Sequence, residues 1–145
     1  MIRAGKADPE KVLLTGISGY IGLHCAKELL LSGFKVRGTI RNSRKQKQVQ
    51  EVMATENADL DNLEFALLDL TSDNGWESAM QGCDYVMHIA SPFRIANPKN
   101  DAEMMVPAVD GTNRVMRAAK SAKIIRVRLT SSIVAMMASI RRGIF

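Results

Sequence analysis

The chain has 145 residues, a length that fits one domain, and its apolar and charged shares are those of a globular protein in water. No apolar run reaches the roughly 18 to 20 residues of a membrane span, which excludes a transmembrane helix as its organising element. The formal charge of +5 is uneven, with ten Lys and Arg against three acids in residues 1–47, five against twelve in 48–122 and five against none in 123–145. That is not a uniformly basic surface, and no aromatic residues interleave with the charges, so nucleic acid is not an expected partner.

Met1 to Glu10 is polar and holds no apolar leader, so a cytoplasmic location is the default expectation. Cys25 and Cys83 lie far apart without metal-ligand spacing and read as two reduced, part-buried thiols. His24 and His88 are the only histidines, and neither has a Cys or His partner nearby in sequence, so no metal site is expected.

The first predicted element is a short buried strand, Val12 to Leu14, within Lys11-Val12-Leu13-Leu14-Thr15. Three glycines follow at three-residue spacing, Gly16, Gly19 and Gly22. A helix is predicted from about Gly19 to Ser32 on the apolar positions Leu23, Ala26, Leu29 and Leu30, with Gly33 as its stop. Phe34 to Ile40 alternates like a second strand. Ser43 is the predicted N-cap of a second helix running through Val49, Val52 and Met53 to about Asn57. Residues 58–62 are a polar connection, and Leu63 to Leu68 is the third strand. A short helix from about Gly75 to Met80 contains Trp76, and Gly82-Cys83-Asp84 turns the chain into a fourth strand, Tyr85 to Ala90. Residues 93–101 read as a loop, residues 102–122 as a long helix with Pro107 in its first turns, and Ile124 to Thr130 as the fifth strand. Strand and helix alternate five times with short connections, which argues for an α/β fold with a doubly wound parallel sheet.

The context strand, glycine turn, helix is what a dinucleotide fingerprint requires. One glycine allows a tight turn, one lets a diphosphate approach the backbone, and one lets helix and strand pack closely. The helix start offers free N–H groups and a positive dipole end to phosphates. The contact set expected here is Gly16, Ser18, Gly19, Tyr20, Ile21 and Gly22. The competing reading is an ordinary strand-to-helix turn. About twenty residues beyond the glycines, where an acid would hold a ribose 2′-OH, the chain has Arg41 and Asn42. An acid there would repel a 2′-phosphate, whereas an arginine pairs with one through a charged fork. Arg44, Lys45 and Lys47 add positive potential. The competing reading of this run is a solvated basic helix start.

Thr15-Gly16-x-x-Gly19-x-x-Gly22 resembles the start of the extended short-chain dehydrogenase/reductase family. Val36-Arg37-Gly38-Thr39-Ile40-Arg41 is similar to the run found in that family's NADP(H) users, and the resemblance implies that Arg41 meets the 2′-phosphate. It implies a Rossmann sheet and NADP(H) in preference to NAD(H). It assigns Asp69 and Leu70 to the adenine, although Asp69 also reads as an N-cap for the Trp76 helix. Val86-Met87-His88-Ile89-Ala90-Ser91-Pro92 is similar to the form carried by dihydroflavonol 4-reductase, cinnamoyl-CoA reductase and related reductases, which places Ile89, Ala90 and Ser91 beside the cofactor. His88 reads as packing under the sheet. Leu129-Thr130-Ser131-Ser132 ends the fifth strand, and by the resemblance Ser132 is the catalytic serine that orients the substrate carbonyl.

The family's catalytic Tyr-x-x-x-Lys has no counterpart here: Tyr20 and Tyr85 are the only tyrosines and neither has a lysine four residues on. The resemblance runs from about residue 11 to 138. The expected organisation is an extension over 1–10, a Rossmann domain over 11–132 ending after about the fifth strand, and a tail over 133–145, with the substrate domain absent. The chain is therefore expected to bind a nicotinamide dinucleotide without turnover, the small carbonyl substrate belonging to a longer parent. The fifth strand is expected to be an exposed edge, with Ile133, Val134, Met136, Met137 and Ile140 facing water or another chain, and to promote self-association. Two other readings stand beside this one: a dinucleotide-binding regulator that has lost its chemistry, and a nucleotide-sugar epimerase or dehydratase, against which Arg41 argues.

Overall fold

The computed structural model describes residues 8–91 and 102–133. In chain order these form β1 (Lys11–Thr15), α1 (Tyr20–Leu31), β2 (Lys35–Ile40), α2 (Arg44–Thr55), a 3-10 turn (Leu60–Asn62), β3 (Leu63–Leu67), α3 (Trp76–Met80), β4 (Tyr85–His88), α4 (Ala102–Ser121) and β5 (Arg126–Leu129). The five strands make one sheet in the order β3-β2-β1-β4-β5. Every pairing is parallel. This is the parallel sheet that the alternation of elements predicts and the Rossmann architecture that the resemblance implies.

β1 sits in the middle and is buried from Val12 to Thr15, as a strand covered on both faces must be. Its side chains alternate between two cores. Leu13 joins Trp76, Ala79, Met80, Val86, Val115, Ala118 and Ala119 under α3 and α4. Leu14 joins Ile17, Ala26, Leu30, Val36, Val49 and Met53 under α1 and α2. Helices on both faces make the sheet doubly wound, and burial of these apolar groups is its main stabilising term, about 25 cal/mol per Å² removed from water.

Three helices end on the same device. After α1, Gly33 turns to φ +82°, its N–H donates to the Leu30 carbonyl and the Phe34 N–H donates to the Leu29 carbonyl. Asn57 after α2 and Lys123 after α4 each adopt φ +56° and make the equivalent pair of bonds. These are Schellman ends, which satisfy the last orphan carbonyls of a helix. Arg37 on β2 is structural: Nη1 donates to the carbonyls of Ala79 and Gln81 at 2.7 and 2.9 Å, at the end of α3. Its guanidinium also joins Lys11 on Glu64, and the Lys11 hydrogen bond and these cations hold the Glu64 carboxyl below its ordinary range.

Several boundaries differ from the predicted ones. β4 ends at His88, because the N–H groups of Ile89 and Ala90 turn to a side chain. β5 is confined to Arg126–Leu129; Ile124 belongs to the end of α4, where its N–H donates to the Ala119 carbonyl. Ser43 is not a side-chain cap, having helical φ and ψ itself; Asn42 takes that role, its Oδ1 accepting from the Arg44 N–H at 2.9 Å. Asp69 does not cap α3, whose N-cap is Gly75 in a left-handed conformation. The predicted loop over 93–101 and the apolar positions 134, 136, 137 and 140 lie outside the described residues. Among the described residues no helix is long and apolar enough to cross a membrane.

Candidate functional site

Because the strands are parallel and in register, their carboxyl ends, Thr15, Ile40, Leu67, His88 and Leu129, lie along one edge of the sheet. That edge is where an open α/β sheet receives ligands. The turn after β1 is built by backbone contact. Gly16 has φ +71°, and a Cβ there would lie 3.1 Å from both Cα and Cβ of Ala90, so the segment just after β4 packs directly on the turn. The Gly19 N–H donates to the Gly16 carbonyl at 3.0 Å. A Cβ on Gly22 would fall 2.1 Å from the Gly16 carbonyl oxygen and 2.9 Å from Ile17 Cα, so α1 approaches the turn to a distance only glycine permits.

The N-terminus of α1 has neither a side-chain cap nor an acid in its first turn. Its N–H groups at Tyr20, Ile21 and Gly22 therefore present uncompensated positive dipole toward the same edge. Ser18 is half-buried and Gly19 exposed. Tyr20 and Ile21 stand out into solvent, with the Tyr20 and His24 rings in a T-shaped contact at 4.7 Å between centroids.

Two threonines, absent from the sequence-based site, tie this turn to the neighbouring strands. The Thr39 hydroxyl oxygen on β2 accepts from the Gly16 N–H at 3.2 Å. The Thr15 hydroxyl oxygen accepts from the N–H groups of both Ile89 and Ala90 at 3.0 Å and lies 2.7 Å from His88 Nδ1. His88 is buried, and burial pushes its pKa down, favouring the neutral ring. The sequence signal for both threonines was their position beside the strand ends that carry Gly16 and Arg41.

Arg41 is exposed and immediately follows β2. Asp69 follows β3, and the Leu68 N–H donates to the Ile40 carbonyl, which brings the two loops side by side. The Asp69 carboxyl lies below its usual range because the Thr71 N–H and hydroxyl both donate to it, with the Arg41 guanidinium contributing. Both Thr71 bonds fall on Oδ1; Thr71 does not use Oδ2. The loop is held from behind by α4. Arg114 donates to the Leu70 carbonyl at 2.9 Å and pairs with Asp73, and Trp76 Nε1 donates to the Ser72 carbonyl at 3.0 Å. Leu70 packs on Gly111, where a Cβ would meet Leu70 Cβ at 3.1 Å. Neither Arg114 nor Gly111 was singled out from sequence, and nothing local to them signalled the contact.

Gly16, Gly19, Gly22 and Ala90 thus form one wall, and Arg41 with Asp69 and Leu70 form the adjoining rim. Ile89 is half-buried and its side chain packs on the core under α1 and α2, so it meets the site edge mainly through its backbone. Ser91 is exposed. The Thr130 N–H donates to the His88 carbonyl at 3.0 Å, which sets the exposed Ser131 and Ser132 on the same edge of the sheet. Tyr85 lies at the opposite end, its hydroxyl donating to Glu10 at 2.9 Å.

Residues 12–141 match the NAD dependent epimerase/dehydratase family. Among curated relatives, tetraketide alpha-pyrone reductase 1 of Arabidopsis thaliana is 35% identical over 123 residues, covering 84% of this chain and 37% of the relative. Dihydroflavonol 4-reductase of Dianthus caryophyllus is also 35% identical over 123 residues, covering 85% of this chain and 34% of the relative. Among solved structures, the yeast methylglyoxal/isovaleraldehyde reductase complexed with NADPH superposes with a TM-score of 0.73 at 25% identity, over 84% of this chain and 37% of that one. The chain spans a little over a third of the length of these relatives. By this match over nearly the whole sequence, the chain belongs to the NAD dependent epimerase/dehydratase family.

Proposed function

We propose that these residues are the NADP(H)-binding part of an oxidoreductase that reduces a carbonyl to an alcohol. The observation that carries the reading is the uncapped start of α1 behind a turn whose Gly16 and Gly22 leave no room for a Cβ. Backbone held that close, with free N–H groups aimed outward, suits a diphosphate. Arg41 beside Asp69 suits the 2′-phosphate of the phosphorylated cofactor, since an acid at position 41 would repel it and a guanidinium pairs with it.

In this reading Gly16, Ser18, Gly19, Tyr20, Ile21 and Gly22 hold the diphosphate, Arg41 the 2′-phosphate, and Asp69 with Leu70 the adenine. The backbone of Ile89, Ala90 and Ser91 lines the passage along the sheet edge. NADPH, when bound, supplies the hydride. Ser132 orients the substrate carbonyl by donating a hydrogen bond to its oxygen. Protonating that oxygen needs an acid, and a phenol with a reference pKa of about 10 serves only with a neighbouring cation. Tyr20 and Tyr85 have no lysine four residues on, so these 145 residues alone bind without turnover. The names of the relatives support an aldehyde or ketone as the substrate class of the parent enzyme. The same missing pair favours a second reading, a dinucleotide-binding regulator with this fold. The reading also includes self-association at β5, an edge strand of the described sheet, where Ile125, Leu129 and Ile133 in and beside it are more than half exposed.

Isothermal titration of the folded chain with NADPH and with NADH tests the cofactor assignment. Saturable 1:1 binding of NADPH, tighter than NADH, is expected. A folded sample giving no heat with either removes the reading, and tighter NADH binding removes the role of Arg41.

A further inference from the structure

A hydroxyl group has one hydrogen and two acceptor lone pairs. At Thr15 both lone pairs are committed, to the N–H groups of Ile89 and Ala90 at 3.0 Å each. Among the described residues the remaining hydrogen has one partner within reach, His88 Nδ1 at 2.7 Å. That nitrogen must then accept, and the ring proton must sit on Nε2. Thr15 is fully buried and His88 is 3% exposed, so water cannot substitute for either partner. The two amides that Thr15 binds are those that leave the β4 ladder, and Ala90 is the residue packed on Gly16.

We propose that Thr15 and His88 form a positioning pair, in which the neutral His88 ring, protonated on Nε2, orients the Thr15 hydroxyl so that it fixes Ile89 and Ala90 against the glycine turn. The proposal deepens the cofactor reading and rests on it for its consequence, since the wall it fixes is the one assigned to the diphosphate. The pair explains a histidine that the proposed chemistry leaves unused. His88 is a positioning residue, reaching no ligand itself. The ring does so only when neutral, because an imidazolium donates from both nitrogens and would place a third donor on the Thr15 oxygen. Burial, which favours the neutral ring, acts in the same direction.

The test uses the full chain in two arms. In the first, without cofactor, nitrogen-15 NMR of the His88 ring at neutral pH is expected to show a bare Nδ1 and a protonated Nε2. Slow hydrogen exchange is expected at the Ile89 and Ala90 amides. A ring protonated on Nδ1, or two freely exchanging amides, overturns the pair. In the second, Thr15→Ser keeps the hydroxyl and should hold NADPH within about twofold of the unaltered chain, whereas Thr15→Val should weaken it about tenfold, the loss expected for two ordinary hydrogen bonds. Thr15→Val should also speed exchange at the two amides while the circular dichroism of the fold is retained. Equal affinities for the valine and serine variants overturn the positioning role. Failure of the unaltered chain to bind NADPH overturns the cofactor reading instead, and the ring tautomer and amide exchange still decide the pair. If Thr15→Val does not fold, the first arm decides it without any substitution.

Discussion

Replacing Gly22 with alanine separates packing from propensity. In a helix interior the change should help, since glycine costs about 1 kcal/mol relative to alanine. Gly22 lies in the first turn of α1, and its added Cβ would sit 2.1 Å from the Gly16 carbonyl oxygen and 2.9 Å from two further backbone atoms. None is the end of a flexible side chain, so relief requires α1 to move off the turn by about an ångström. Ala26 and Leu30, buried on the same helix, would move with it. Overpacking of this kind costs about 3 kcal/mol at the upper end of the usual range, and the propensity gain brings the net loss to about 2 kcal/mol. For a chain of this size that is a fall in melting temperature of about 4–8 °C. Gly19→Ala is the control, because its Cβ would meet only the Gly16 carbonyl oxygen at 3.4 Å, an ordinary contact. Urea unfolding followed by circular dichroism should place Gly22→Ala about 2 kcal/mol below the unaltered chain and Gly19→Ala, which loses only glycine's advantage at the α1 N-cap, within about 1 kcal/mol of it. A Gly22→Ala chain as stable as the parent, or more so, would refute the close-approach argument.

Arg41→Ala should reduce NADPH affinity by about tenfold or more, the size of a charge-assisted hydrogen bond, and leave NADH affinity nearly unchanged; equal losses for both cofactors would place Arg41 elsewhere than on the 2′-phosphate. His88 has its folded pKa depressed by burial, so below about pH 6.5 the unfolded chain binds more protons than the folded one. Its contribution is therefore complete above that pH and is lost as pH falls toward the lower folded value, which urea midpoints between pH 7 and 5 should show as a decline that His88→Gln diminishes; a midpoint rising on acidification would contradict the sign. β5, an edge strand of the described sheet, should support self-association, read as a concentration-dependent sedimentation coefficient and weakened by Leu129→Lys on its exposed face. A clean monomer at high concentration would contradict it.

The sheet was legible because its central strand is an apolar run, and because α1 and α2 repeat their apolar residues with the helical period. The turn was legible for a related reason: Gly16 and Gly22 answer to steric demands that no other residue meets, so their spacing, read with the strand before and the helix after, locates them. What sequence did not disclose were contacts made across the fold. Thr15 reaches residues more than seventy positions away, and Arg114 on α4 reaches back to Leu70 and Asp73. No local pattern records such pairings. Capping differs at one helix: Ser43 is the predicted cap of α2, but it already has helical φ and ψ, and the Asn42 side chain before it accepts from the Arg44 N–H instead. Lys123 ends α4 with a positive φ that its residue type does not advertise.

The central claim is that the turn after β1 cradles a diphosphate while Arg41 meets the phosphorylated ribose. Proton–nitrogen NMR of the uniformly labelled chain titrated with NADPH tests it directly. The account predicts that the amide shifts concentrate at residues 16–22, 41, 69–70 and 89–91, and that NADH reproduces them except around Arg41. Shifts confined to other surfaces, with the amides of Gly16 to Gly22 unmoved at saturation, would contradict it.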